Sequence, residues 1–133
     1  IEKSIENKFD VIYLDTLHKA DHVEKILYRY YSRLKLGGFF YIDDTSWIPY
    51  LSKNEKNHFY KEINNMETFE KVLDIYNANS ENFDLEFSFV GTGIAKIHKI
   101  KDVELNINKN IKTRKFSIKN LLRKTLKFLK IKC

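Results

Sequence analysis

The sequence has little cysteine, proline or glycine. Its single cysteine, Cys133, is the last of 133 residues, so no disulfide can form within the chain. That usage favours a reducing, cytoplasmic compartment. One proline and four glycines are few for an all-β protein, which needs many tight turns. No apolar run is long enough to cross a bilayer, and no signal peptide is visible.

Acidic residues are missing from one end of the chain. Residues 109–133 contain ten Lys or Arg and no Asp or Glu, whereas the first 108 residues carry 18 acidic and 14 basic residues. The net charge of +6 therefore arises in the tail, and the body is mildly acidic. A body that bound nucleic acid would carry a basic patch on its folded face, so we expect no nucleic-acid partner. Hydrophobic content of 43% indicates a globular chain.

Two short apolar runs, Phe9–Leu14 and Phe39–Ile42, predict strands that are buried on both faces. Apolar residues at helical spacing lie between them, and Gly37-Gly38 is expected to end that helix. Strand, helix and strand over about 35 residues form one right-handed βαβ unit. Two parallel strands would then end at the same edge of an open α/β sheet, where such folds bind their ligands.

Helix signals occur twice. Asp21 followed by Glu24, and Ser52 followed by Glu55, resemble capping boxes at helix starts. A second helical stripe runs from residue 59 to residue 76, with a break expected near Asn64-Asn65. Asp84–Val90 and Ile94–Ile100 alternate polar and apolar residues, which predicts an antiparallel hairpin. Gly91-Thr92-Gly93 precedes a strand rather than a helix, so we interpret it as the hairpin turn and not as a phosphate loop.

Three carboxylates follow the predicted parallel strands directly: Asp15, Asp43 and Asp44. Together they could bind a hard divalent cation such as Mg²⁺. They could equally cap turns and helix starts, which is the simpler interpretation of spacing alone. His18, in the loop after the first strand, has a side chain suited to proton transfer near neutral pH, or it has no role. His18 and His22 have the spacing of a zinc pair, but no third ligand accompanies them.

The tail contains an amphipathic pattern. Ile118, Leu121, Leu122, Leu126 and Leu129 form an apolar stripe, with Lys and Arg between them. Such a helix suits a peripheral contact with an anionic membrane, at the inner membrane face, or an acidic partner. A terminal helix that docks on its own domain is the alternative, and the sequence leaves both open.

The combination FDVIYLD, His18 and LKLGGFFYIDD resembles the second half of class I S-adenosylmethionine-dependent methyltransferases. It is most similar to metal-dependent O-methyltransferases of the catechol O-methyltransferase kind and to sugar O-methyltransferases. The resemblance covers roughly residues 9–101. It implies an α/β, Rossmann-like methyltransferase sheet whose N-terminal strands are missing, with residues 1–104 as the C-terminal half of that domain and 105–133 as a basic linker and helix.

The resemblance also implies roles for individual residues. Asp15, Asp43 and Asp44 fall on the family's metal positions, and His18 falls on that of its catalytic base. The implied reaction transfers a methyl group from S-adenosylmethionine to a hydroxyl of a small molecule or sugar, with Mg²⁺ as the metal. Most of the cofactor site would lie before Ile1, so we expect the chain alone to be an inactive fragment. A nicotinamide-dependent reductase and a non-enzymatic domain with a membrane-binding or partner-binding tail remain alternatives.

Overall fold

The computed structural model describes residues 8–17, 19–46 and 58–107, together with four tail positions: 118, 121, 122 and 125. Two helices and four strands are described: β1 (Phe9–Leu14), α1 (Ala20–Tyr31), β2 (Leu34–Asp43), α2 (His58–Asn77), β3 (Phe83–Ser88) and β4 (Ile94–Lys99). No helix among these residues has both the length and the apolar character needed to span a membrane. The predicted order of elements is confirmed.

The four strands form one mixed sheet in the order β1-β2-β4-β3. β1 and β2 are parallel, whereas β4 is antiparallel to both β2 and β3. The predicted βαβ unit and the terminal hairpin are therefore both present. The hairpin adds β4, not β3, beside β2, which the sequence pattern did not predict.

Gly37-Gly38 does not end the helix. α1 ends at Tyr31, and both glycines lie inside β2, where the pairing with β1 shifts register between Phe9 and Val11. Gly37 has a φ of +78°, which only glycine adopts without strain. A Cβ on Gly38 would lie 2.9 Å from the carbonyl oxygen of Asp10. The pair thus allows a bulge and a close approach of β2 to β1.

The expected capping box at α1 is also wrong. Lys19 is the N-cap and makes no side-chain capping hydrogen bond, and Asp21 lies in the first turn. Glu24 instead pairs with Lys71 of α2, at 3.0 Å. The break expected at Asn64-Asn65 does not occur, because α2 is continuous. The second capping box, at Ser52 and Glu55, lies outside the described residues.

Both helices pack on one face of the sheet. The core combines helix residues such as Leu27 and Ile75 with inward residues of the two central strands, such as Phe40 and Ile97. Burial of this apolar surface is the main stabilising contribution to the fold.

The opposite face of the sheet, here called the open face, carries alternate residues of β1, β2 and β4. They are Val11, Tyr13, Phe39, Tyr41, Lys96 and His98. Val11 and Tyr13 are each 55% exposed, so the expectation that β1 is buried on both faces is wrong within the described part of the chain. Aromatic contacts join Tyr13 to Tyr41 and Phe39 to His98. Neither described helix belongs to this face.

A buried lysine, Lys99, contacts the end of α1 and the start of β2, at the edge of the sheet where β2 begins. Lys99 is fully buried, and its Nζ donates to the carbonyl oxygens of Tyr31 and Leu34 and to Asp102, the last at 2.6 Å. Asp102 also accepts from Lys8, at 2.6 Å. Hydrogen bonds from Lys8 and Lys99 lower the pKa of Asp102 from 3.8 to about 2.

Acid should therefore weaken the fold through Asp102. Because its pKa is lower in the folded chain, its contribution is complete above pH 3.8 and is lost as pH falls toward about 2. We expect urea unfolding midpoints to fall across this range, and to fall less in Asp102→Asn. An identical decline in both proteins would show that the Lys8–Asp102–Lys99 contacts do not contribute.

Candidate functional site

The carboxyl ends of β1 and β2 bring two of the predicted acidic residues to one edge of the sheet. Leu14 pairs with Ile42 in the parallel ladder, so Asp15 and Asp43, the next residues along each strand, are neighbours in register. Asp15 is exposed and Asp43 is partly buried. Asp44 follows immediately, with a φ of +57° in the left-handed region. The shared edge expected from the sequence is present.

Asp43 is held by hydrogen bonds from three directions. Its Oδ1 accepts from the backbone N–H of Asp44 at 2.8 Å and from the Thr92 hydroxyl at 3.2 Å. Its Oδ2 accepts from the Tyr13 hydroxyl at 3.4 Å. These donors fix the orientation of the carboxylate group. Asp43 is therefore an oriented acidic side chain at the carboxyl edge of the parallel strands.

Tyr13 extends this group onto the open face. Burial and the charges of Asp43, Asp15 and Asp44 raise the pKa of its hydroxyl, because each of them disfavours the phenolate. Tyr13 thus stays a hydrogen-bond donor toward Asp43. All three carboxylates act on this one hydroxyl, so they share an electrostatic environment.

The loop after β2 is fixed against the β3–β4 turn. The backbone N–H of Thr45 donates a hydrogen bond to the carbonyl oxygen of Gly93 at 3.2 Å, and that of Ser46 donates to the carbonyl oxygen of Thr92 at 2.9 Å. The side chain of Asn65, on α2, donates to the same Thr92 carbonyl oxygen at 3.2 Å. The turn that the sequence pattern identified thus connects the acidic loop to α2.

Sequence reasoning missed Tyr13, Thr92 and Asn65 as parts of this edge. Tyr13 could have been found, since it lies two residues before Asp15 on the same strand. Thr92 and Asn65 carry no local signal, because their contacts depend on β4 lying beside β2. The Thr45 hydroxyl is also buried here without a partner among the described residues. Such a group calls for a polar partner, of which bound water is the simplest.

The metal site predicted at Asp15, Asp43 and Asp44 is not supported. Among the described residues, no group of three or more His, Cys, Asp or Glu side chains could hold a metal ion. Asp43 has much of its acceptor capacity taken by Thr92, Asp44 and Tyr13. These residues do not fit Mg²⁺ as a three-carboxylate set, and no reaction step is derived through a metal.

His18, the predicted base, lies outside the described residues. Its neighbours Leu17 and Lys19 belong to the segment between β1 and α1, directly after the acidic edge. His22 is described, and its Nε2 lies 3.0 Å from the hydroxyl of Thr16. The role of His18 therefore stays a prediction.

The described glycines do not form a cofactor loop. Gly37 lies within β2, and Gly91 and Gly93 lie in the β3–β4 turn, so none of the three precedes a helix. A glycine-rich turn at a helix start is what would bind a nucleotide-like cofactor. The part of the chain that the structure describes provides a sheet edge with oriented acidic groups, but no such cradle.

The chain is similar to a known protein in its fold, but not in its sequence. No protein-family model matches the chain, and no curated protein matches it in sequence. Among solved structures it is similar to the SAH-bound methyltransferase PaMTH1 of Podospora anserina, with a TM-score of 0.54 and 18% identity over 74% of this chain. The match spans 44% of the length of that methyltransferase. At this identity the likeness shows the fold alone: the chain adopts an α/β, Rossmann-like sheet similar to part of that structure.

Proposed function

We propose that this chain forms the second half of an S-adenosylmethionine-dependent methyltransferase domain that acts on a hydroxyl of a small molecule or sugar. The observation that carries the proposal is the fold likeness to an SAH-bound methyltransferase, over the sheet that the βαβ unit and the hairpin build. The acidic edge at Asp15 and Asp43 supports it, because open α/β sheets bind ligands at the carboxyl ends of their strands.

The proposal assigns different roles to the cofactor and to the residues of this chain. S-adenosylmethionine would supply an electrophilic methyl group, and its main binding site is proposed to lie outside the residues that the structure describes. This chain would contribute the acceptor side of the site. The carboxylate of Asp43, fixed by Tyr13 and Thr92, would accept a hydrogen bond from a polar group of the substrate that is methylated. This hydrogen bond would orient the substrate. His18 would take the proton of the hydroxyl that is methylated.

The proposal requires a test of the whole product of the coding sequence. We expect a calorimetric titration of that product with S-adenosylmethionine to show saturable binding. We also expect mass spectrometry to show the gain of one methyl group on a sugar or small-molecule hydroxyl. Absence of cofactor binding by the whole product would overturn the proposal.

Two histidine variants separate the proposed base from a structural histidine. His18→Ala should lower kcat by about 10²- to 10⁴-fold, the usual contribution of a general base, and leave cofactor affinity unchanged. His22→Ala, four residues along, is the matched control and should retain most of the activity. A His18→Ala protein that kept full activity would remove His18 from the mechanism, while the methyltransferase proposal would still stand on cofactor binding.

A further inference from the structure

The C-terminal tail differs from the body in both charge and surface. Residues 109–133 carry ten basic and no acidic residues, while the preceding 108 residues have more acidic than basic ones. Apolar residues repeat at helical spacing through the same segment, from Ile118 to Leu129. One segment therefore combines concentrated positive charge with an apolar stripe.

The described tail residues expose their apolar side chains. Ile118 is 77% exposed, Leu121 52% and Leu122 49%, and all three are helical. The hydroxyl of Thr125 donates to the carbonyl oxygens of Leu121 and Leu122, as a helical threonine can. A helix docked on its own domain would bury these leucines, as α1 buries Leu27.

The buried core of the body contains none of the described tail residues. The buried cluster runs from Leu14 to Leu105, and no described residue after Leu105 belongs to it. Of the two interpretations that the sequence left open, this exposure favours a free amphipathic helix over a helix docked on the body. The described tail residues present an apolar surface that the body does not cover.

We propose that the C-terminal tail binds the surface of an anionic lipid membrane through its exposed apolar residues and its Lys and Arg side chains. The apolar stripe would enter the boundary between headgroups and acyl chains, and the Lys and Arg residues would contact anionic headgroups. Nucleic acid would satisfy the charges but would leave the stripe in water. The membrane satisfies both features, so the observations favour it.

The charge of the body defines how the chain would lie on this surface. Because its first 108 residues are net acidic, an anionic membrane would repel the body and attract the tail. The contact would therefore be confined to the tail, and the acidic edge at Asp15 and Asp43 would stay accessible. This proposal does not depend on methyl transfer, and it holds whether or not the chain is part of an enzyme.

The test is co-sedimentation of the full chain with vesicles. We expect binding to vesicles of phosphatidylcholine mixed with phosphatidylglycerol, weaker binding at high salt, and little binding to phosphatidylcholine alone. The double variant Leu121→Asp and Leu122→Asp should lower the partition coefficient on the order of 100-fold, because two apolar side chains no longer enter the bilayer.

A matched control carries the same charge change elsewhere. Val90→Asp with Ile107→Asp alters two exposed apolar residues outside the tail, and should bind anionic vesicles almost as well as the parent chain. Equal loss in both double variants, equal binding to neutral vesicles, or poly(U) RNA binding with retained vesicle binding in Leu121→Asp/Leu122→Asp would each overturn the proposal.

Discussion

Replacing Gly93 with alanine is expected to destabilise the folded chain by about 3 kcal/mol, the sum of a strained backbone and an overpacked contact. Gly93 has a φ of +85°, and a Cβ there would lie 2.4 Å from the backbone nitrogen of Ser46 and 2.7 Å from its Cα. Backbone atoms cannot move aside as the end of a side chain can. The hydrogen bond from Thr45 to the Gly93 carbonyl oxygen should be disturbed as well. Urea unfolding measures the effect.

Gly91→Ala is the control for this variant. Gly91 also has a positive φ, of +64°, but no atom lies within 4 Å of the Cβ position. Its replacement should cost only the backbone strain, about 1 kcal/mol. Equal losses at Gly91 and Gly93 would show that the close approach of the turn to Ser46 contributes nothing.

Removing the charge of Glu24 is expected to cost about 3 kcal/mol, because it takes away the carboxylate that pairs with the buried ammonium group of Lys71. Lys71 is 1% exposed and its Nζ lies 3.0 Å from Oε2 of Glu24. This contact joins α1 to α2 on the helix-covered side of the sheet. Chemical denaturation of Glu24→Gln measures the effect, and adding Lys71→Met should recover most of the lost stability.

An exposed pair of the same chemistry serves as the control. Lys101 and Glu81 lie 3.1 Å apart with side chains 50% and 85% exposed. Glu81→Gln should change the free energy of unfolding by less than about 1 kcal/mol, as is usual for a solvated pair. If Glu24→Gln and Glu81→Gln proved equally mild, burial would not govern the Lys71 contact.

The elements that the sequence predicted correctly are those with a local signal. The hairpin follows from the alternation on either side of Gly91-Thr92-Gly93, and β1 follows from one apolar run with charged flanks. Parallel pairing then requires Asp15 and Asp43 to share an edge. That much of the candidate site could be predicted without coordinates.

The predictions that were wrong concern residues whose structure depends on contacts with residues far away in the sequence. Glu24 matches a capping box, yet Lys71, 47 positions away, takes its carboxylate. Gly37-Gly38 has the composition of a helix end, but glycine equally permits a bulge where two strands approach closely. The sequence of an apolar strand does not show whether other elements pack on both of its faces, so the burial of β1 on both faces could not be predicted. Thr92 joined the site only because β4 pairs with β2.

Because β4 lies between β2 and β3, its two strand pairings differ in the chain entropy that is lost when each of them forms. β3 and β4 face each other across a turn of five residues, 89–93, whereas Asp43 of β2 pairs with Ile94, 51 positions later. Closing the longer loop costs about 2 kcal/mol more than closing the turn. The hairpin is thus the less costly element to assemble, and its β4 edge can serve as the template on which β2 registers. α2 lies within that longer loop, between β2 and the hairpin.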